Sequence, residues 1–295
     1  MKLHLPKPGR YIVAVSGGLD STCLLDMMAK SDGYELIVAH YDHGIRQDSA
    51  LDLAFVNSIA KQYGLKFVYE SASLGPLASE ATARKARYDF LYQSMIDAQC
   101  LGIITAHHQD DRIETLIINL IRGTGRKGLG SIIETASIKR PLLTFTKLQL
   151  QSYAHQHNLS WREDSTNKDD RYLRNYIRLH IMPRLSNEER LQFVRLMNKQ
   201  NQLNKNIDQL VVSLLDQDCV SQLNRKTINN LTFNETKELV ATWLRLNNLF
   251  NFDRKMIERL TLAAKTKRPG IMMDVYKQKR VTIYKHFLAL STVER

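Results

Sequence analysis

The residues best suited to chemistry fall in five short stretches. The first is Ser16-Gly17-Gly18-Leu19-Asp20-Ser21, set between an apolar run and a helical pattern. Gly17 and Gly18 permit positive φ and close approach to the backbone, so successive N–H groups can point at one anion. A helix starting near Ser21 adds its positive end. The stretch lacks the Gly-Lys-Ser/Thr ending of a Walker A loop, and the next lysine is Lys30. Transfer of a terminal phosphoryl group is therefore not its natural chemistry. A plain turn, with Asp20 or Ser21 capping the helix, has the same composition.

The second stretch runs from Ala106 through His107, His108, Gln109, Asp110, Asp111, Arg112 and Ile113 to Glu114 and Thr115. Asp110, Asp111 and Glu114 share the first turn of a helix. Their hard oxygens suit Mg²⁺ and the positioning of a polar substrate, although acids at this place can also simply complement the helix dipole. A two-histidine hydrolase centre is disfavoured, because adjacent histidines on extended backbone diverge. The third stretch, Arg122 to Gly130, holds four glycines with Arg122, Arg126 and Lys127. It reads as a flexible basic loop beside the same cleft, or as a solvated linker. The fourth puts Arg84, Arg87 and Tyr88 on one helical face, fit for a carboxylate or another anion or for surface salt bridges. The fifth is Trp161 to Asn167 followed by Arg171 to Arg184, where Arg171, Arg174, Arg178 and Arg184 occur without an acid, interleaved with Tyr172 and Tyr176. Cations beside aromatic planes suit unstacked RNA bases and their phosphates.

Positioning these groups requires a particular order of elements. Tyr11–Val15, Leu36–Tyr41, Lys66–Tyr69 and Gly102–Ala106 read as short buried strands, and Thr22–Lys30, Ser49–Tyr63 and Glu80–Ala98 as helices between them. That alternation predicts an α/β fold with a doubly wound parallel sheet, whose ligands lie beyond the carboxyl ends of the strands. The first and second stretches both sit at such ends. After Leu185 the pattern turns helical. Ser186 and Glu189 form a capping box, and Leu203, Ile207, Leu210, Val211 and Leu214 share a helical face. Further helices are expected near Glu235–Asn247 and Asp253–Ala264, and a terminal hairpin over Ile271–Val275 and Arg280–Leu290. The expected division is residues 1–185 for the catalytic domain and 186–295 for a smaller, mainly helical one.

Composition narrows the class. The chain has 295 residues, 43% hydrophobic and 24% charged, as in soluble globular proteins. No run reaches the roughly 18 apolar residues of a membrane span, and the N-terminus has no signal-peptide core. Cys23, Cys100 and Cys219 form no CxxC pair, which disfavours a zinc ribbon, an iron–sulfur site or a disulfide framework and fits a reducing cytoplasm. The net charge is +12, and between Lys265 and Lys285 seven Lys/Arg face one Asp. Charge this clustered favours a nucleic-acid partner.

Taken in order, these stretches resemble the tRNA(Ile)-lysidine synthase family of the N-type ATP pyrophosphatase, or PP-loop, superfamily. SGGLDS matches the superfamily loop. The narrower marks are YDHGIR (Tyr41–Arg46), EATARKARYDFL (Glu80–Leu91), HHQDDRIET (His107–Thr115), RGTGRKGL (Arg122–Leu129) and DSTN with RNYIR (Asp164–Arg178), so the likeness covers roughly residues 10–185. It implies a PP-loop domain followed by the family's first C-terminal domain, as in its shorter form. It also implies an ATP-dependent ligase that adenylates the wobble cytidine of a CAU-anticodon tRNA(Ile), releases pyrophosphate and joins L-lysine to C2. By motif match, Ser16, Gly17, Gly18, Leu19, Asp20, Ser21, His43 and Arg46 would hold ATP. Asp20 and Asp111 would hold Mg²⁺, and Asp20, Asp111, Glu114 and Arg84 would serve catalysis. Arg84, Arg87 and Asp110 would bind substrate, with Arg122, Arg126, Lys127, Arg174 and Arg178 facing tRNA. Asp110 varies between Asp and Asn within the pattern. A tRNA cytidine 2-thiolase, which shares the adenylation step, and a non-catalytic tRNA-binding protein are the competing readings. A homodimer is left open.

Overall fold

The computed structural model describes residues 3–44, 49–72, 80–162, 169–215, 221–249, 252–276 and 279–292. The chain divides into two compact units, Met1–Gln200 and Asn201–Arg295. Among the described residues no helix is long and apolar enough to cross a membrane.

In the first unit β1 (Gly9–Ala14), β2 (Tyr34–Asp42), β3 (Lys66–Ser71), β4 (Gly102–Ile104) and β5 (Ile138–Lys139) form one sheet in the order β3-β2-β1-β4-β5. All pairings are parallel, with Ile12 opposite Ile37 on one side and Ile103 on the other. The connections carry α1 (Leu19–Ala29), α2 (Ser49–Gln62), α3 (Glu80–Asp97) and α4 (Gln109–Ile121). The expected doubly wound α/β sheet is thus present. Its central strands are apolar on both faces because both are covered. Val13, Val38 and Ile104 pack with Leu24 and Met28 of α1 and with Val56 of α2, whereas Ile12, Ile37 and Ile103 pack with Leu91 of α3. The short edge strand β5 escapes a sequence reading because two residues carry no periodicity.

Beyond α4 come a one-turn α5 (Arg126–Leu129), α6 (Lys147–Gln156), a one-turn α7 (Leu173–Tyr176), a π turn over Ile177–Ile181, a 3₁₀ turn over Met182–Arg184, and α8 (Asn187–Ser213). Ser186 and Glu189 make the expected capping box, at 2.8 and 3.2 Å. Phe193, Val194 and Met197 of α8 pack with Ile113 and Leu116 of α4, together with Ile177 and Met182. This packing explains why the compact units divide inside α8 and not at 185/186, where the sequence pattern changes. The apolar face expected along α8 is narrower than predicted: Val211 is buried and Ile207 half-buried, but Leu203, Leu210 and Leu214 are exposed.

The second unit contains α9 (Arg225–Asn230), α10 (Phe233–Leu246) and α11 (Arg254–Thr266) with an antiparallel sheet of β6 (Gln222–Asn224), β9 (Phe287–Thr292), β8 (Lys279–Ile283) and β7 (Met272–Tyr276) in that order. The expected hairpin is therefore part of a larger sheet, closed by β6. Its core gathers Leu239, Val240 and Trp243 of α10, Leu260 of α11, and Val281, Ile283 and Leu288 of the sheet.

Candidate active site

The strand order reverses between β1 and β4, so their carboxyl ends open a crevice that neither connection crosses. The loop after β1 and the start of α4 meet there. The cleft has a volume of about 550 Å³, and Ser16, Gly18, Asp20, Ser21, His40, His43, Arg84, Arg87, His107, Asp111, Arg174 and Arg178 are among its lining residues.

The loop after β1 is shaped by its own hydroxyls. Ser21 Oγ accepts from the Ser16 amide at 3.2 Å and donates to Gly18 O at 3.0 Å, closing the turn. Gly17 takes φ +88°, and an added Cβ would stand 3.3 Å from both Phe55 and Val56. Gly18 is extended at φ −74° and is the N-cap of α1, so only one of the two glycines needs the left-handed region. The helix begins two residues earlier than expected, at Leu19, and its N-cap Gly18 and first-turn Asp20 and Ser21 line the cleft. Leu19 itself is buried in the core, so any contact it makes with a ligand is through the backbone.

Asp20 carries the central charge. Lys147, the first residue of α6, donates to both its oxygens, at 2.7 and 2.9 Å, and His108 Nε2 lies 3.6 Å away. Burial pushes the Asp20 carboxyl up, but hydrogen bonds and charge from His108 and Lys147 outweigh that and hold it at about 2. The sequence reading missed Lys147. It stands 127 residues from Asp20, and the one local signal is the Thr146–Gln149 capping box that starts α6.

His108 caps α4. Its Nδ1 accepts from the Asp111 amide at 3.4 Å, while Asp111 Oδ2 accepts from the His108 amide at 3.0 Å. With Nδ1 so used, Nε2–H faces Asp20 and Asp111, the latter at 3.5 Å. Asp20 and Asp111 thus flank one imidazole edge. Among the described residues no three His, Cys, Asp or Glu side chains form a metal cage. Two carboxylates beside a glycine loop at a helix start suit instead a Mg²⁺ arriving with a nucleotide, because this ion keeps most of its shell as water and phosphate.

Of the three acids expected together on α4, Asp111 and Glu114 share Arg178, whose Nη2 lies 3.4 Å from Asp111 Oδ1, and Asp110 turns away. Asp111 lines the cleft. Glu114 is buried behind it and paired bidentately with Arg178, at 2.8 and 2.9 Å. Burial pushes the Glu114 carboxyl upward against the pull of Arg178. Asp110 turns to Arg190 on α8, at 3.1 Å, and does not line the cleft.

The same cleft is lined by Arg84 and Arg87 of α3, whose guanidinium carbons lie 5.0 and 5.5 Å from the centre of the Tyr88 ring. Arg174 and Arg178 complete a group of four arginines. Burial lowers the Arg87 pKa, with Arg84 and Arg174 adding repulsion. His107 is held down to about 3, first by burial and then by Arg140, Arg84 and Arg87 against the pull of Asp111, so it is neutral at pH 7. So many cations facing one cavity make a site built for an anion. His43 packs edge-on against Tyr41 at 4.9 Å in the same cleft, whereas Arg46 lies outside the described residues. Arg122, Arg126 and Lys127 are not among the lining residues. They follow the far end of α4, whose thirteen residues span about 20 Å. Arg162, from the fifth stretch, closes the loop's other side: its amide donates to Gly17 O at 3.0 Å and its guanidinium pairs with Asp52.

The model of the PP-loop domain matches residues 2–185. Curated relatives named tRNA(Ile)-lysidine synthase include one from Nostoc sp., 40% identical over 185 residues, covering 60% of this chain and 54% of the relative. One from Thermus thermophilus is 38% identical over 194 residues, covering 64% and 38%. One from Legionella pneumophila is 32% identical over 257 residues, covering 81% and 58%. The chain thus spans only 38% to 58% of the length of these relatives. Among solved structures, the U34-tRNA thiolase NcsA from Methanococcus maripaludis, with its 4Fe-4S cluster, superposes with a TM-score of 0.54 at 16% identity, covering 66% of this chain and 73% of that one. At that identity the likeness bears on the fold alone. With its Ser16–Ser21 loop at the switch point of the sheet, the chain belongs to the PP-loop domain family of ATP-using proteins.

Proposed function

We propose that the protein ligates L-lysine to C2 of the wobble cytidine of a CAU-anticodon tRNA(Ile), with ATP converted to AMP and pyrophosphate. The observation that carries this reading is that one cleft is lined both by Ser16, Gly18, Asp20 and Ser21, where phosphates would lie, and by four arginines with Asp111. The names of the relatives supply the acceptor. Cytidine C2 oxygen attacks the α-phosphorus and pyrophosphate leaves; the lysine ε-amine then attacks C2 and the oxygen departs with AMP. The loop amides and the α1 terminus would take charge as pyrophosphate separates. Asp20 and Asp111 would hold Mg²⁺, which supplies charge neutralisation on the phosphates when bound.

Within this scheme Arg84 and Arg87 would hold the lysine carboxylate or the adenylated base. Asp111 would meet the lysine amine as well as the metal; its place in the lining of the cleft supports this, and Glu114 is buried in a bidentate pair with Arg178. Glu114 would act through Arg178, fixing its fork. The exposed Tyr172 and Tyr176, with Arg174 and Arg178, and the basic turn at Arg122, Arg126 and Lys127, would face tRNA. A thiolase reading is disfavoured by the cysteines. Cys23 is buried, donates to Leu150 O at 3.4 Å and has its thiol pushed up to about 12, chiefly by burial, and neither it nor Cys100 lines the cleft.

The test is pyrophosphate release with purified protein. The expected result is release that requires ATP and tRNA(Ile) bearing CAU, with a lysine-containing nucleoside formed only when lysine is added. Formation of 2-thiocytidine, or no reaction with this tRNA, would remove the ligase reading.

A further inference from the structure

The loop carries Asp20 and lacks the lysine of a Walker A loop, yet a cation reaches it from outside. Lys147 Nζ stands 2.7 and 2.9 Å from the two Asp20 oxygens, and Asp20 lines the cleft. The lysine is well fixed at its root. It opens α6, where Thr146 Oγ1 accepts from the Gln149 amide and Gln149 Oε1 accepts from the Thr146 amide. Behind it, α6 is tied to α1 through Tyr153 to Asp26 at 2.6 Å and Cys23 to Leu150 O. Its side chain is about a third exposed (37%), so the four-carbon stem keeps freedom to swing its ammonium between neighbouring oxygens.

Resting on the reading of this cleft as an ATP site, we infer that Lys147 is the phosphate-binding cation that the loop itself lacks. Before nucleotide binds, Lys147 is held by Asp20, which keeps an anion-binding loop from presenting a bare carboxylate. When triphosphate occupies the amides of residues 16 to 21, phosphate oxygens become a second acceptor for the same ammonium, which reaches the cleft through Asp20 and not as one of its lining residues. Lys147 would then stay with pyrophosphate as that group leaves. It acts directly on the leaving group and not merely as a counter-ion of Asp20.

A double-mutant cycle separates those two roles. Pyrophosphate binding without divalent metal is measured by calorimetry at physiological salt for the wild type, Asp20→Asn, Lys147→Met and Asp20→Asn/Lys147→Met. With Asp20 neutral, a lysine that served only Asp20 has nothing left to do. The expected result is that Asp20→Asn alone tightens pyrophosphate binding, and that adding Lys147→Met weakens it by about tenfold or more, the loss of one charge-assisted hydrogen bond. A loss smaller than about tenfold in the Asp20→Asn background is what a screened charge out of contact would give, and it would overturn the assignment. Lys147→Arg should keep binding in that background, which guards against a loss caused by misfolding; circular dichroism of each variant checks the same point. If the wild type bound neither pyrophosphate nor ATP, the reading of this cleft as an ATP site would fall and the assignment with it. If it bound both and only the cycle failed, only the assignment would fall.

Discussion

Asp26→Asn tests the frame that holds the cleft. Asp26 lies on α1, is 1% exposed, and accepts from Tyr63 Oη at 2.5 Å, Tyr153 Oη at 2.6 Å and Lys30 Nζ at 2.9 Å. It therefore ties together α1, which presents Asp20, and α6, which presents Lys147. The Lys30 side chain is half exposed, so its contact adds little, and the two phenols decide the magnitude. Hydrogen bonds to a charged acceptor contribute about 1.5–3 kcal/mol each. Asparagine keeps an oxygen for one phenol and offers an amide to the other, so what is lost is the charge assistance, about 2–3 kcal/mol in all. The sign with pH follows from linkage. Burial pushes the Asp26 carboxyl up, but Lys30, Tyr153 and Tyr63 outweigh it and leave it below its ordinary value. Its contribution is therefore complete above the unfolded value near 3.9 and is lost as pH falls through the lower, folded one. Burial and Asp26 push Tyr63 and Tyr153 the other way, so stability also drops as pH rises past the unfolded tyrosine value near 10. The assay is urea unfolding at a series of pH values. A two-unit chain need not unfold in one step, so it is followed by Trp161 fluorescence in a Trp243→Phe background, which leaves one indole, packed against the first core. The difference that Asp26→Asn makes in this background should be full near neutrality and shrink toward pH 3. A difference under about 1 kcal/mol at pH 7, less than one such hydrogen bond, or one unchanged at pH 3, would refute the reasoning.

Two other substitutions probe the site. Gly17→Ala puts a Cβ at φ +88°, 3.3 Å from Phe55 and Val56; it should cost about 1–2 kcal/mol and raise the KM for ATP, and a wild-type KM would show that the loop does not cradle phosphate. Asp110→Asn weakens the bond to Arg190, which still donates to Met182 O and Leu185 O. It should lower stability by about 1–3 kcal/mol and leave the KM for lysine unchanged, and the reverse pattern in melting and steady-state kinetics would return Asp110 to the substrate site.

What the sequence makes legible follows the range of the interactions. The parallel sheet is readable because β1, β2 and β4 are continuous apolar runs, and the loop after β1 because its glycines and serines act on each other within six residues. The grouping of Asp110, Asp111 and Glu114 on one turn is also readable, but their fates are not. Helical spacing fixes which residues are neighbours, whereas the partners that decide each role, Arg190 for Asp110 and Arg178 for Glu114, come from elements 64 residues away or more. The same limit hid Lys147, Asp52 and the contact of Arg162 with the loop. The stripe of Leu203, Leu210 and Leu214 fails for a related reason: periodicity shows that leucines share a face, and only the packing around Val211 shows which face is buried.

The acid inside the phosphate loop has a physical rationale once the surrounding charges are counted together. A bare carboxylate 4 Å from a phosphate oxygen would oppose binding by about 4 kcal/mol at an effective dielectric constant near 20, enough to defeat several amide hydrogen bonds. Asp20 is not bare: Lys147 sits on both its oxygens and His108 stands beside it. The incoming anion meets a locally neutral group with a mobile cation, not a negative charge. A fixed lysine in the loop would give the same neutrality but would hold pyrophosphate as firmly after the reaction as before it. Here the ammonium has Asp20 to return to, so the interaction that steadies the leaving group can be exchanged for one that already exists in the empty cleft, and release does not require a charge to be stranded.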